Sequence, residues 1–178
     1  MPAHYLLVDG YNILFAEKRL AKIAQDSLDA ARKGLCDMLS DFKPLSKYRI
    51  IVVFDAHHVP GGEGSLTKYN NITVVFTKEA ETADHYIEAA AYKIVHRSPG
   101  RPNADKITVA TSDITEQIII LGSGCARISA EDFLKEIKTS KESMRMRHIH
   151  NKPIKKNPIA SLVDEATAEK LEQMRYGG

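Results

Sequence analysis

Four aspartates stand where a strand ends or a helix begins. Asp9 closes the apolar run Tyr5-Leu6-Leu7-Val8, and Asp55 closes Ile50-Ile51-Val52-Val53-Phe54. Asp113 follows Ile107-Thr108-Val109-Ala110 by way of Thr111-Ser112, and Asp84 falls in the first turn of a helix beginning near Thr82. In an open α/β sheet the carboxyl ends of parallel strands gather at one edge, and ligands bind there. Carboxylates crowded at that edge repel one another, and such a cluster persists when it holds hard cations such as Mg²⁺ or Mn²⁺. Oxygen ligands, such an ion and an open position for water suit phosphodiester hydrolysis.

The neighbours of each acid sharpen the pattern. Gly10 lets the backbone turn sharply and approach another group closely, and Asn12 can orient a carboxylate or bind a phosphate oxygen. His57 and His58 follow Asp55 but alternate in direction if extended, so they do not easily share one metal; contact with phosphate is the role open to them. Asp84 and Glu88 are one helical turn apart and share a face, which interrupts an otherwise apolar stripe, and Glu81 could face the same site from before the cap. The hydroxyl of Ser112 can cap a helix or hold a metal-bound water. Each acid alone has a plain structural explanation, such as complementing a helix dipole; the ordered series is what points to chemistry.

These residues need a scaffold, and the hydropathy pattern supplies one. Tyr5–Val8 and the continuous apolar run Ile50–Phe54 read as strands, the latter buried on both faces. Leu28, Ala31, Leu35, Met38, Leu39 and Phe42 follow helical spacing, and Pro44 stops that helix. A loop centred on residues 60–65 precedes a third strand, Ile72–Phe76, whose direction the sequence leaves open. The next helix spans Ala83 to His96, capped by Thr82, with Ile87, Ala91, Ile94 and Val95 as its buried stripe. Ile107–Ala110 is a fourth strand. Ser112 is placed as the cap of a short helix through Leu121, and Cys125–Ile128 as a short fifth strand. Ser129 and Asp132 have capping-box-like spacing ahead of Phe133, Leu134 and Ile137. This alternation predicts an α/β fold with a mostly parallel central sheet flanked by helices.

The 178 residues suggest one domain with an appendage. The predicted boundary lies at residue 139. Residues 140–160 are basic, poor in apolar side chains and broken by Pro153 and Pro158, which reads as a poorly ordered arm. A last short helix is expected from about Asp164 to Arg175. A hydrophobic fraction of 43% and a charged fraction of 27% are those of an ordinary globular protein. No apolar run is long enough to span a bilayer, and the N-terminus lacks the pattern of a secretory signal. The expectation is a cytoplasmic monomer without membrane contact. Cys36 and Cys125 read as reduced, buried thiols. From Lys138 to Lys156 the chain carries Lys138, Lys141, Arg145, Arg147, Lys152, Lys155 and Lys156 against Glu142 alone. A basic segment beside an acid-bearing domain suits a polyanionic partner such as RNA.

At Leu7-Val8-Asp9-Gly10-Tyr11-Asn12, Val53-Phe54-Asp55-Ala56, Glu81-Thr82-Ala83-Asp84 and Thr111-Ser112-Asp113 the sequence resembles the NYN domain nucleases of the PIN-like superfamily. The YacP-like group is the most similar branch, and it includes ribosome-associated endoribonucleases that cut mRNA in the A site. Order and spacing agree over roughly residues 4–138, and the closing Lys170–Arg175 also looks like the end of that group. The resemblance implies a three-layer PIN-like domain over residues 1–139, with 140–178 as a basic extension. It implies metal-ligating roles for Asp9, Asp84 and Asp113, support from Asn12 and an accessory role for Asp55. The second acid of PIN nucleases is commonly Glu, so Glu81 and Glu88 both compete for that place. It further implies Mg²⁺ or Mn²⁺ dependence, cleavage of mRNA on the ribosome, and RNA or ribosome contact by the basic residues and the loop around Gly61–Ser65.

A different class of function, a non-catalytic RNA- or ribosome-binding module, would fit a decayed site; the intact acids argue against it. Two phosphate-handling enzyme types are excluded by pattern. The haloacid dehalogenase type needs a second Asp two residues after its nucleophile, where this chain has Tyr11. The receiver type needs an acidic pair after strand one and a Lys after strand five, and neither occurs.

Overall fold

Apolar runs that alternate their side chains between two covered faces build the centre of the molecule. The computed structural model describes residues 3–55, 64–96, 105–112 and 125–150. Its six-stranded sheet has the order β3-β4-β2-β1-β5-β6. The strands are β1 (His4–Asp9), β2 (Tyr48–Phe54), β3 (Ser65–Tyr69), β4 (Ile72–Phe76), β5 (Lys106–Ala110) and β6 (Ala126–Ile128). Every pairing is parallel except β3 on β4. The expected α/β class with a mostly parallel sheet is therefore observed.

Successive strand side chains point to opposite faces, which makes two cores. Leu6, Val8, Ile50, Val52, Phe54 and Val74 belong to the larger one. Against them pack α1 (Gly10–Ala16), α2 (Lys18–Asp26), α3 (Leu28–Phe42) and the start of α5 (Ala130–His150). Phe42 of α3 meets Phe133 of α5 edge to face at 5.8 Å. Leu7, Val53, Val75, Ile107 and Val109 form the other core with Ala83, Ile87 and Ala91 of α4 (Ala83–His96). Helices thus cover both faces, giving three layers.

Three expectations about elements need correction. The periodicity predicts one helix between β1 and β2, and there are three. α1 is only seven residues long and is capped by the last residue of β1; α2 is capped by Glu17, an unusual choice, whose carboxylate accepts from Leu20 N at 2.7 Å. The sequence places Ser65 in a loop, but it begins β3. A two-residue turn joins β3 to β4 with Tyr69 opposite Ile72, and Asn70 adopts φ 51°, a left-handed conformation that asparagine tolerates. The Tyr69 hydroxyl donates to Asp37 Oδ1 at 2.6 Å and ties this edge to α3. Third, α5 does not stop near Thr139 but continues to His150. Residues 140–150 lack Gly and Pro and are rich in Lys, Glu, Met and Arg, all good helix formers.

α4 has its expected bounds, and Thr82 Oγ1 accepts from His85 N at 3.2 Å as its cap. The chain divides into two compact units, residues 1–144 and 145–178, and in the second only residues 145–150 are described. The predicted helix after Ser112 and the C-terminal helix lie outside the described residues, as do Asp113, His57, His58, Lys152, Lys155 and Lys156. Both cysteines are buried and stand outside any disulfide, and burial pushes the Cys36 thiol up to about 11. Among the described residues no helix is long and apolar enough to cross a membrane.

Candidate active site

β1 is central, and its two neighbours fix what surrounds Asp9. Asp9 pairs in register with Val53 of β2, and Val8 pairs with Ala110 of β5. From β1 the chain leaves toward β2 on one side, and β5 returns on the other. The β1/β5 boundary is thus the topological switch point, where open α/β sheets hold their ligands.

Asp9 is the last residue of β1 and the N-cap of α1; its Oδ1 accepts from Asn12 N at 3.0 Å. By strand alternation it shares a face with Leu7, and Leu7 packs in the core that contains Ala83 and Ile87 of α4. Asp84, in the first turn of α4, comes beside it for that reason. Asp9 is only 8% exposed. Burial pushes its carboxyl above the ordinary value, the Asn12 backbone N–H partly opposes this, and the Asp84 charge adds to the upward push.

Asn12 ties the two sides of the switch point together. Its Nδ2 donates to Thr111 Oγ1 at 3.4 Å, and its Oδ1 accepts from Ser112 N at 3.2 Å. Ser112 Oγ in turn accepts from Ala130 N at 3.2 Å, so among the described residues the helix it serves is α5. Gly10 also has a reason other than approach to a ligand. A Cβ there would lie 2.5 Å from the Phe54 ring and 2.8 Å from Val53 O, so its absence lets α1 start directly over the end of β2.

A cleft of about 470 Å³ opens here, lined by Asp9, Tyr11, Asn12, Phe15, Asp55, Thr82, Ala83 and Asp84. It brings together three of the predicted acids and Asn12. Glu81 and Glu88 are not among its lining residues. Nor do Asp84 and Glu88 interrupt the apolar stripe of α4: Ala83, Ile87 and Ala91 form it unbroken, and the two acids lie exposed beside it. Oxygen donors are the chemistry a hard divalent cation requires, and a carboxylate whose ionised form is disfavoured first by burial and then by a second carboxylate is what such an ion would relieve. The residues present fit the ion on that ground. Among the described residues, no three acidic, histidine or cysteine side chains gather into a complete metal site.

Tyr11, Phe15 and Arg32 were not anticipated. Arg32 Nη1 donates to the Tyr11 hydroxyl at 2.7 Å, its Nη2 pairs with Asp29, and its guanidinium lies 5.7 Å from the Phe76 ring centre. Burial raises the Tyr11 phenol, Arg32 opposes, and the Asp55 charge raises it further, which places Asp55 beside this group. The available signal was Tyr11 and Phe15 at i, i+4 directly after a strand-end acid.

A family model for the YacP-like NYN domain matches residues 6–176. The chain belongs to this family. It is 40% identical over 142 residues to the uncharacterized protein YacP of Bacillus subtilis, covering 80% of this chain and 79% of that one. The fold is similar to the crystal structure of Rae1 (YacP) from Bacillus subtilis, at TM-score 0.68 and 35% identity over 97% of this chain and 95% of the other. A mutant form of the same protein matches at TM-score 0.64 and 38% identity over 85% and 86%. The YacP-like NYN domain is of nuclease type.

Of the basic residues expected to bind RNA, Lys141 pairs with Asp41 of α3 at 3.3 Å, while Lys138, Arg145 and Arg147 are exposed on α5.

Proposed function

We propose that this YacP-like NYN protein is a metal-dependent endoribonuclease that hydrolyses RNA phosphodiester bonds, acting on mRNA held by the ribosome. The observation that carries the reading is the convergence of Asp9, Asp55 and Asp84 on one cleft at the sheet's switch point.

Asp9 and Asp84 would hold Mg²⁺ or Mn²⁺, with Asp113 as the third acid the sequence pattern names. When bound, such an ion supplies Lewis acidity at phosphate and an acidified water. The chain's own residues do the positioning. β1 and α4 each present one carboxylate to the cleft. Asn12 holds Asp9 through its backbone N–H and fixes the end of β5 through its side chain. Asp55 adds negative charge beside Tyr11, which favours a cation in the cleft over bare phosphate. Hydrolysis by water rather than by the RNA 2′-hydroxyl leaves 5′-phosphate and 3′-hydroxyl ends. The exposed Lys138, Arg145 and Arg147, with Lys152, Lys155 and Lys156, would hold the RNA backbone without reading sequence. Specificity then comes from the position of the mRNA on the ribosome.

The test incubates the protein with translating ribosomes and Mg²⁺, beside Asp9→Asn and Asp84→Asn variants. Loss of cutting in both, with ribosome binding kept, supports the assignment. Equal cutting by wild type and variants rejects it, and binding without cutting by the wild type would make the protein a binding module instead.

A further inference from the structure

Of the five phenylalanines, Phe42, Phe54 and Phe133 are fully buried and Phe76 is half-buried, whereas Phe15 is 55% exposed. Single exposed apolar side chains are common and by themselves mean little. Phe15 differs in where it lies and in how it is held. It lines the same cleft as Asp9 and Asp84. Its ring lies 6.2 Å from that of Tyr11, with 23° between the planes, so the two are stacked.

Tyr11 is itself fixed from below. Its ring meets Phe54 edge to face at 5.3 Å, and its hydroxyl accepts from Arg32, which Asp29 and Phe76 brace in turn. The outcome is a braced aromatic stack whose exposed outer member is Phe15. An apolar ring offers nothing to a divalent cation or a phosphate. What it matches is another flat π-face, and the polymer that would bring such faces to a carboxylate-lined, phosphate-processing cleft is single-stranded RNA.

We infer that Phe15 is a stacking platform for one unpaired RNA base entering the acid cleft; this rests on the reading of that cleft as an RNA-cleaving site. Every base has a π-face, so the contact sets the register of the strand and tolerates any sequence. Tyr11 is a positioning residue that holds Phe15, and Arg32 positions Tyr11.

The experiment uses the full chain and single-stranded oligoribonucleotides carrying one 2-aminopurine at successive positions, whose fluorescence falls when the base stacks. Wild type should quench at one position, Phe15→Ala should abolish that quenching, and Phe15→Trp should retain it. In cleavage of the same oligonucleotides with Mg²⁺, Phe15→Ala should raise KM about tenfold, the size expected for loss of one base–aromatic stack. An abasic residue at the quenched position should raise the wild-type KM by a similar factor and leave that of Phe15→Ala where it was. Quenching at no position, or quenching unchanged in Phe15→Ala, overturns the platform. Phe15-dependent quenching by a wild type that leaves mRNA on translating ribosomes uncut supports the platform and overturns the hydrolytic reading instead, so the two fail separately.

Discussion

Asp9 accepts the Asn12 N–H that begins α1, while burial and the Asp84 charge make its ionised form costly. Its folded-state pKa lies above the ordinary 3.8, so the stability it contributes is present below that value and is lost as pH rises through the folded-state pKa. Asn caps a helix about as well as Asp. In metal-free buffer at pH 7, Asp9→Asn should therefore melt at or above the wild type in calorimetry, and the difference should close as pH falls below 3.8. A variant that melts lower at pH 7 would contradict this account of the carboxyl. Mg²⁺ should reverse the order, because an ion that binds only the folded wild type at a hundredfold its Kd adds about 2.7 kcal/mol; the melting temperature of Asp9→Asn should not respond. Next to it, Gly10→Ala forces a methyl group into the Phe54 ring and Val53 O. Overpacking of this kind costs about 1–3 kcal/mol. Urea unfolding should show that loss, and an unchanged midpoint would mean that α1 can lift away from β2 freely.

Among the elements, α4 matters most to the site because its first turn carries Asp84. Thr82 caps that turn through His85 N. Thr82→Ala should cost about 1 kcal/mol of stability. It should also weaken Mg²⁺ binding severalfold in titration calorimetry, because the turn presenting Asp84 frays; Thr82→Ser should restore both. Restored stability with binding still weak in Thr82→Ser would assign the loss to something other than the cap. At the other end of the sheet, the β3–β4 hairpin carries exposed polar residues on β3, including Lys68, and such an edge resists pairing with further strands. α5 joins the two scales: its first turns pack Phe133 and Ile137 into the core, while Lys138, Arg145 and Arg147 remain exposed.

For the whole molecule the contrast of charge is what counts. The cleft is acidic, yet the segment from Lys138 to Lys156 is basic, and a net charge of +2 conceals both. A polyanion is repelled by the first and drawn to the second, so binding and cleavage should respond to different variables. Binding to single-stranded RNA should weaken with salt, and replacing Lys152, Lys155 and Lys156 with Gln should lower the slope of log affinity against log salt by roughly 2, at about 0.7 per phosphate contact. Filter binding across a salt series reads this directly. A slope unchanged by the triple substitution would remove the basic segment from the RNA interface. Mg²⁺ should affect cutting far more than it affects this slope.

Much of this was legible along the chain because local conformation follows local chemistry. Val52-Val53-Phe54-Asp55 announces a buried strand and its end, and Thr82-Ala83-Asp84 announces a capped helix start; both stand where they were read. α1 and α2 escaped because seven and nine residues hold too few turns for a periodic signal, and because Asp9 and Glu17 cap them from positions that read as strand end and surface acid. β3 escaped because its residues are nearly all exposed, so no apolar alternation marks it. Residue type and spacing alone settled that carboxylates sit at the ends of elements. That Asp9 meets Asp84, that Asn12 bridges to Thr111 and Ser112, and that Arg32 reaches back to Tyr11 depended on strand order and on which face of the sheet each helix covers. Those contacts join groups distant in sequence, and only the packing of both cores brings them within reach of one another.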